Sequence, residues 1–210
     1  MEFSIMRGQL KAMLVLAATK DVRYYLNGLH VRQGQFGTII EATDGHLLGM
    51  LRISTEPKPQ AEVILERDSL KPLLGTKRQA DELVEFYVSE GVVKAAAVGI
   101  NLTMKAVDGV FPDTSRVTPK NGDLLIEPDA PSAIDPYLLV RFAEVSAALD
   151  GGKVWVRQRG QGTCLVNIEV PDFIGVVMAM RGYEQFNVPV WVHGAERQPV
   201  IEKTEQEVTA

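Results

Sequence analysis

Apolar positions along the chain change period in a fixed order, and that order occurs three times at a spacing of roughly 60 residues. In the first pass residues 3–5 form a short strand and residues 7–20 follow with helical spacing. Leu10, Met13, Leu14 and Ala17 fall at i, i+3, i+4 and i+7 and make one buried stripe, with Arg7 and Lys11 a turn apart on another face. Alternation with period two then predicts strands at 23–32, 36–43 and 46–53. The breaks are Gln33-Gly34-Gln35 and Asp44-Gly45, the second a strong tight-turn pair.

Pro57 and Pro59 cannot continue a strand ladder, so residues 54–60 read as a connector. The second pass has a strand at 61–65 and a short helix capped by Asp68. Pro72 is tolerable near its first turn and Gly75 is its natural stop. Strands follow at 83–89, 92–98 and 101–107. The third pass opens with a strand at 123–127. Asp135-Pro136 then starts a helix that carries Leu138, Phe142, Val145 and Leu149 on one stripe, and Gly151-Gly152 ends it. Strands are predicted at 154–159, 163–170 and 173–181. Beyond Gly182 the pattern stops: residues 188–192 either pack on the body or add an edge strand, and 197–210 are polar enough to fray. The expected fold class is α+β: three strand-helix-strand-strand-strand units with helices on one face of antiparallel sheets.

Composition narrows the function. At 46% apolar and 23% charged, 210 residues are enough for a real core. Lys plus Arg number 22 against 27 Asp plus Glu, a net charge of -5, which excludes a uniformly basic nucleic-acid coat but not a basic stripe on an acidic body. The single cysteine, Cys164, makes no internal disulfide and no cysteine-based metal site by itself, and a reducing cytoplasm is expected. The longest apolar stretch, 12–18, is far short of a membrane span, and Met1-Glu2-Phe3 shows no basic region before a hydrophobic one, so neither export nor membrane insertion is expected.

Four motifs carry a resemblance: 21–28 (Asp-Val-Arg-Tyr-Tyr-Leu-Asn-Gly), 42–46 (Ala-Thr-Asp-Gly-His), 107–113 (Val-Asp-Gly-Val-Phe-Pro-Asp) and 176–181 (Val-Val-Met-Ala-Met-Arg). Together, and in this order, they resemble the bacterial DNA polymerase III beta subunit family, the sliding clamps. Residues 1–120 resemble the family's whole middle domain, 121–182 the second half of its last domain, and 183–210 form an extension. The resemblance implies the DNA clamp fold and a non-catalytic processivity factor that encircles duplex DNA and tethers a polymerase. A non-encircling adaptor or decoy that competes for clamp-binding proteins is the alternative. Expected partners are duplex DNA bound without sequence preference, a DNA polymerase and other proteins with clamp-binding motifs, and a clamp loader. The family's rings contain twelve units, so three per chain point to a homotetrameric ring; the alternative is an incomplete clamp.

Encirclement needs weak phosphate attraction rather than base reading. The candidates on the helix faces are Arg7, Lys11, Lys20 and Arg23 in the first unit, Arg67, Lys71, Lys77 and Arg78 in the second, and Arg141 and Lys153 in the third. By resemblance, a peptide pocket is formed by Leu26, Thr43, Gly45, His46, Leu48, Pro112, Arg116, Val117, Val176, Met178, Met180 and Arg181. Leu, Val, Pro and Met give an adaptable apolar cavity, while Arg and His at the rim hydrogen-bond a glutamine or the peptide backbone. Leu47 stands where the family usually has arginine and Ala179 where it has proline. Residues 185–191 loosely resemble a docking peptide of the glutamine-plus-aromatic kind. No catalytic chemistry is predicted. His30, His46 and His193 lack metal spacing, no nucleophile elbow or phosphate loop occurs, Gly160-Gln161-Gly162 reads as a hairpin turn, and no cofactor is called for.

Overall fold

A computed structural model of the chain describes residues 1–119, 133–157 and 162–180. The first unit runs β1 (Glu2–Met6), α1 (Arg7–Leu16), β2 (Gly28–Gly34), β3 (Gly37–Thr43) and β4 (Leu47–Ser54). The second runs β5 (Ala61–Glu66), α2 (Arg67–Leu70) continued by a 3-10 turn to Leu74, β6 (Leu83–Ser89), β7 (Val92–Ala97) and β8 (Ile100–Lys105). The third contributes α3 (Pro136–Ala148), β9 (Trp155–Arg157), β10 (Thr163–Asn167) and β11 (Phe173–Met178). The strand expected at 123–127, the hairpin turn at 160–162 apart from Gly162, Arg181 and the extension at 183–210 lie outside the described residues.

Both long helices obey their predicted stripes. Leu10, Met13, Leu14 and Ala17 are buried beneath α1; Phe142 and Val145 are buried beneath α3, with Leu138 and Leu149 packed against the same core. Each fully buried side chain of this size contributes roughly 1.5–3 kcal/mol through removal from water. Asp135 caps α3 by accepting the Tyr137 amide at 2.9 Å, with Pro136 at the first helical position as expected.

Three boundaries move for local reasons. Helix α1 ends at Leu16 rather than near residue 20, because Ala17 takes extended backbone. The strand expected from residue 23 begins at Gly28, since Tyr24–Leu26 coil into a 3-10 turn closed by the Asn27 amide on the Tyr24 carbonyl at 3.1 Å. The cap of α2 is Glu66, whose carboxylate accepts the Ser69 amide at 2.6 Å, not Asp68. Asp68 instead sits in the first turn, where a negative charge complements the helix dipole.

Two antiparallel sheets result, ordered β1-β6-β7-β8 and β5-β2-β3-β4-β11-β10-β9. The first two units exchange their leading strands: β1 joins β6, and β5 joins β2. The third unit attaches through its last strand, β11, to the last strand of the first unit, β4. Helices α1 and α3 pack together beside this junction.

Candidate peptide cleft and helix-face cations

The β4–β11 junction creates a cleft that neither unit holds alone. Its volume is about 220 Å3 and its lining is mainly apolar. Leu26, Leu47, Leu48 and Val176 form a buried floor, each 1–3% exposed, and Val117 and Met178 stand at the rim about half exposed. Leu26 is backed by a small second core of Ala18, Ile64 and Phe111, which fixes the floor from behind.

One wall is the turn between β3 and β4, and its conformation follows from three side chains. Thr43 Oγ1 accepts the Gly45 amide at 3.0 Å and donates to the Leu47 carbonyl at 2.5 Å. Asp44 Oδ1 accepts the His46 and Leu47 amides at 2.8 and 3.0 Å. Gly45 has φ +94°, a backbone conformation that favours glycine, and a Cβ there would lie 2.8 Å from Arg23 Nη2 and push against the guanidinium. Arg23 is held in turn by Asp21, through Nε at 3.0 Å and Nη2 at 2.7 Å, and donates to the Asp44 carbonyl at 3.2 Å. The hydrogen bonds from Arg23 pull the Asp21 carboxyl down to about 2.

The opposite wall is the segment carrying Pro112, Asp113, Thr114 and Val117. A buried polar cluster anchors it. Glu41 on β3 accepts from Thr114 Oγ1 at 3.0 Å and from Arg32 Nε at 3.0 Å, and meets His30 Nδ1 at 2.8 Å, while the His30 ring stacks on Phe111 with centroids 4.6 Å apart. Burial alone would raise the Glu41 carboxyl, but the His30 hydrogen bond and the nearby Arg32 charge hold it below the usual range. The third unit closes the cleft: the Met178 amide donates to the His46 carbonyl at 2.8 Å, and Thr163 Oγ1 donates to the Val117 carbonyl at 3.2 Å.

Of the predicted pocket residues, Leu26, Thr43, Gly45, His46, Leu48, Pro112, Val117, Val176 and Met178 line this one cleft. Arg116 and Met180 do not line it: Arg116 ends the exposed 3-10 turn at Thr114–Arg116, and Met180 is bridged to Ala133. Arg23, Leu47, Asp113, Thr114 and Thr163 line it without having been assigned to it. Arg23 and Asp113 gave a signal, each lying within one of the four motifs, and Leu47 stood out as a departure from the family pattern; Thr163 sits more than a hundred residues from Thr43 and is brought there solely by strand pairing.

Residues 2–113 match the DNA polymerase III beta subunit, central domain. The chain belongs to that family. It is 34% identical over 137 residues to the beta sliding clamp of Pseudomonas aeruginosa, covering 61% of this chain and 37% of that protein. With the beta sliding clamp of Caulobacter vibrioides it shares 29% identity over 175 residues, 75% of this chain and 46% of the relative. The chain thus spans less than half the length of either. The crystal structure of the Pseudomonas aeruginosa DNA polymerase III subunit beta superposes with a TM-score of 0.66 at 22% identity, covering 86% of this chain and 66% of that one, which establishes the clamp fold.

Against the clamp fold, the cations expected on the helix faces divide into two groups. Arg7 is 1% exposed: it is ion-paired with Glu82 at 3.1 Å and donates to the Leu73 carbonyl at 3.1 Å. This corrects its assignment as a DNA contact, because the strand-exchanged second unit covers the start of α1. Arg141 reaches the Val15 and Ala17 carbonyls and is ion-paired with Asp44; Arg67 reaches the Leu14 and Ala17 carbonyls at 2.6 and 2.9 Å. These two arginines satisfy the open carbonyls at the end of α1 and complement its dipole. Arg23 belongs to the cleft wall. Lys11, Lys20, Lys77 and Arg78 are exposed, Lys71 is exposed and paired with Asp68 at 2.6 Å, and Lys153 lies over the Trp155 ring. Lys11 and Lys77 border the same helix-side hollow.

Among the described residues no group of His, Cys, Asp and Glu could hold a metal ion, and no helix is long and apolar enough to cross a membrane.

Proposed function

We propose that this chain is a sliding-clamp-type processivity factor that docks a short linear motif of a polymerase or other replication protein in the cleft at the β4–β11 junction, and surrounds duplex DNA as a homo-oligomer in the bacterial cytoplasm. The observation that carries the reading is the cleft's construction. An apolar floor of Leu26, Leu48 and Val176 accepts aliphatic side chains, and polar groups at the turn and at Thr114 and Thr163 remain at its edge for a peptide's amides. Residues 1–120 act as a complete clamp-like domain, 121–182 as a half domain and 183–210 as an extension. Lys11, Lys20, Lys71, Lys77 and Arg78 supply the phosphate-attracting face, whose sliding needs charge without base reading.

The test is a fluorescent clamp-binding peptide titrated against the purified chain. Saturable binding that weakens roughly tenfold in M178A/V117A, a loss of about 1.4 kcal/mol, supports the reading. Absence of binding, or equal binding to the variant, refutes it. Retention on nicked circular DNA that disappears on linearisation tests encirclement separately.

A further inference from the structure

Before it reaches the cleft, the segment from Val107 to Val117 lies across one face of the seven-stranded sheet. Leu29 and Val31 of β2 point to the other face and pack in the core with α1, so alternation along the strand turns His30 toward the segment. The Val107 amide donates to the Ile64 carbonyl at 2.9 Å and the Tyr24 hydroxyl to the Asp108 carbonyl at 2.8 Å. Further along, Phe111 stacks on His30 and Thr114 donates to Glu41, immediately before the chain forms the cleft wall.

His30 stands between two strands, directly opposite Glu41 of β3 on one side and Ile64 of β5 on the other. It is 6% exposed. Its Nδ1 meets Glu41 Oε2 at 2.8 Å, whereas its buried Nε2 lies 3.4 Å from Glu62 Oε2 of β5 and makes no hydrogen bond. Glu41 also accepts from Arg32 and Thr114, so it is the acceptor toward His30 and Nδ1 carries the ring proton. In a neutral ring Nε2 is then a bare lone pair, and an acceptor faces an acceptor at Glu62. A second proton turns that contact into a charge-assisted donation, and an imidazolium stacked on Phe111 gains cation–π attraction. The proton also balances the local charge, because Glu41 and Glu62 are faced by the single guanidinium of Arg32. On the covering segment, the Asp113 carboxylate is turned aside to the Ser115 amide and hydroxyl at 3.1 and 2.7 Å.

We propose that His30 is a positioning residue of the cleft: on taking up a second ring proton it clasps Glu62 of β5 while keeping Glu41 of β3, and through Phe111 and Thr114 it draws the wall at residues 111–117 onto the sheet. The protonated form is the one that gains a partner, so the clasp is made at lower pH and released as pH rises through the range of about 5–8 in which histidines change charge. Glu41 is held below the usual carboxylate range and stays an acceptor across that interval. As a control on docking this rests on the cleft reading; as an ordering of the wall it is measured without peptide, so each fails on its own evidence.

The fluorescent clamp-binding peptide, titrated against the full chain at pH 8 and at pH 6, reads the clasp at the cleft. The wild type is expected to bind about threefold tighter at pH 6, the size of one exposed charge pair. H30Q keeps a donor for Glu41 but takes no second proton, and E62Q removes the carboxylate at an exposed position; both lose that gain. His46 is kept in all three chains, so the difference between them isolates His30, whereas lost packing alone would weaken H30Q equally at both pH values. Hydrogen exchange without peptide supplies a second reading: protection factors of the amides of residues 115–118 rise from pH 8 to pH 6 in the wild type and not in E62Q. One pH profile of peptide binding shared by the three chains, or protection that is the same in the wild type and E62Q at both pH values, overturns the proposal. Protection that responds while no peptide binds leaves the clasp standing and refutes the cleft reading instead.

Discussion

Gly49 faces Gly175 at the centre of the β4–β11 pairing, and each lies directly under a side chain from the helix above it. A Cβ on Gly49 would lie 2.1 Å from Leu16 Cδ1, and one on Gly175 would lie 2.4 Å from the Phe142 ring. The paired glycines let α1 and α3 settle onto the sheet where the two units join, and the cleft is built on that junction. Gly175→Ala is expected to cost roughly 1–3 kcal/mol through overpacking against Phe142. Urea unfolding should report the loss, and peptide affinity should fall with it because the β11 wall shifts.

Glu41 links the cleft wall to acid stability. Its carboxyl is held below the usual range in the folded protein by His30 and Arg32, so its contribution is present above the ordinary carboxylate value and disappears as pH falls through the folded-state value. Glu41→Gln is expected to lose roughly 2 kcal/mol at neutral pH, as expected for buried hydrogen bonds to a charged group. Melting curves should converge with those of the wild type in acid. A difference independent of pH would contradict the assignment.

Arg7 and Lys11 occupy successive turns of one helix and have opposite expected phenotypes. Removing the Arg7 side chain leaves Glu82 and the Leu73 carbonyl without their partner, and Arg7→Met is expected to cost about 3 kcal/mol of stability. Lys11→Ala and Lys77→Ala should leave the melting temperature unchanged. Each should lower the salt slope of DNA association by about 0.9, the contribution of one phosphate contact.

Arg141 connects the end of α1 to the cleft turn by bonding the Val15 and Ala17 carbonyls while pairing with Asp44. The planar guanidinium serves these partners at once, which an ammonium cannot reproduce. Arg141→Lys is therefore expected to behave nearly as badly as Arg141→Met, with a loss of roughly 2 kcal/mol in denaturant unfolding and weaker peptide binding. Full rescue by lysine would mean that charge alone is needed.

Much of this was legible in the chain. The stripes of α1 and α3, the Asp135-Pro136 start and the hairpin turns followed from spacing and turn chemistry, because those depend on neighbours within a few residues. The cleft was legible only through family motifs. Leu26, Thr43 and Val176 alternate like any core strand, and nothing local distinguishes them from such a strand. Arg7 was misread for the same reason: its position on the helix wheel was right, but the second unit covers that face.

Element order and the apolar faces were determined by the sequence alone, since periodicity encodes which side of each helix or strand leaves water. Which strand lies beside which was decided only in three dimensions. An unpaired strand edge offers the same amides and carbonyls to every partner, so the exchange of β1 and β5 and the union of β4 with β11 depend on packing among residues far apart in the chain. That union brings Thr163 and Met178 to the cleft, while the exchange of leading strands sets Glu82 and Leu73 over Arg7 and separates it from the exposed lysines.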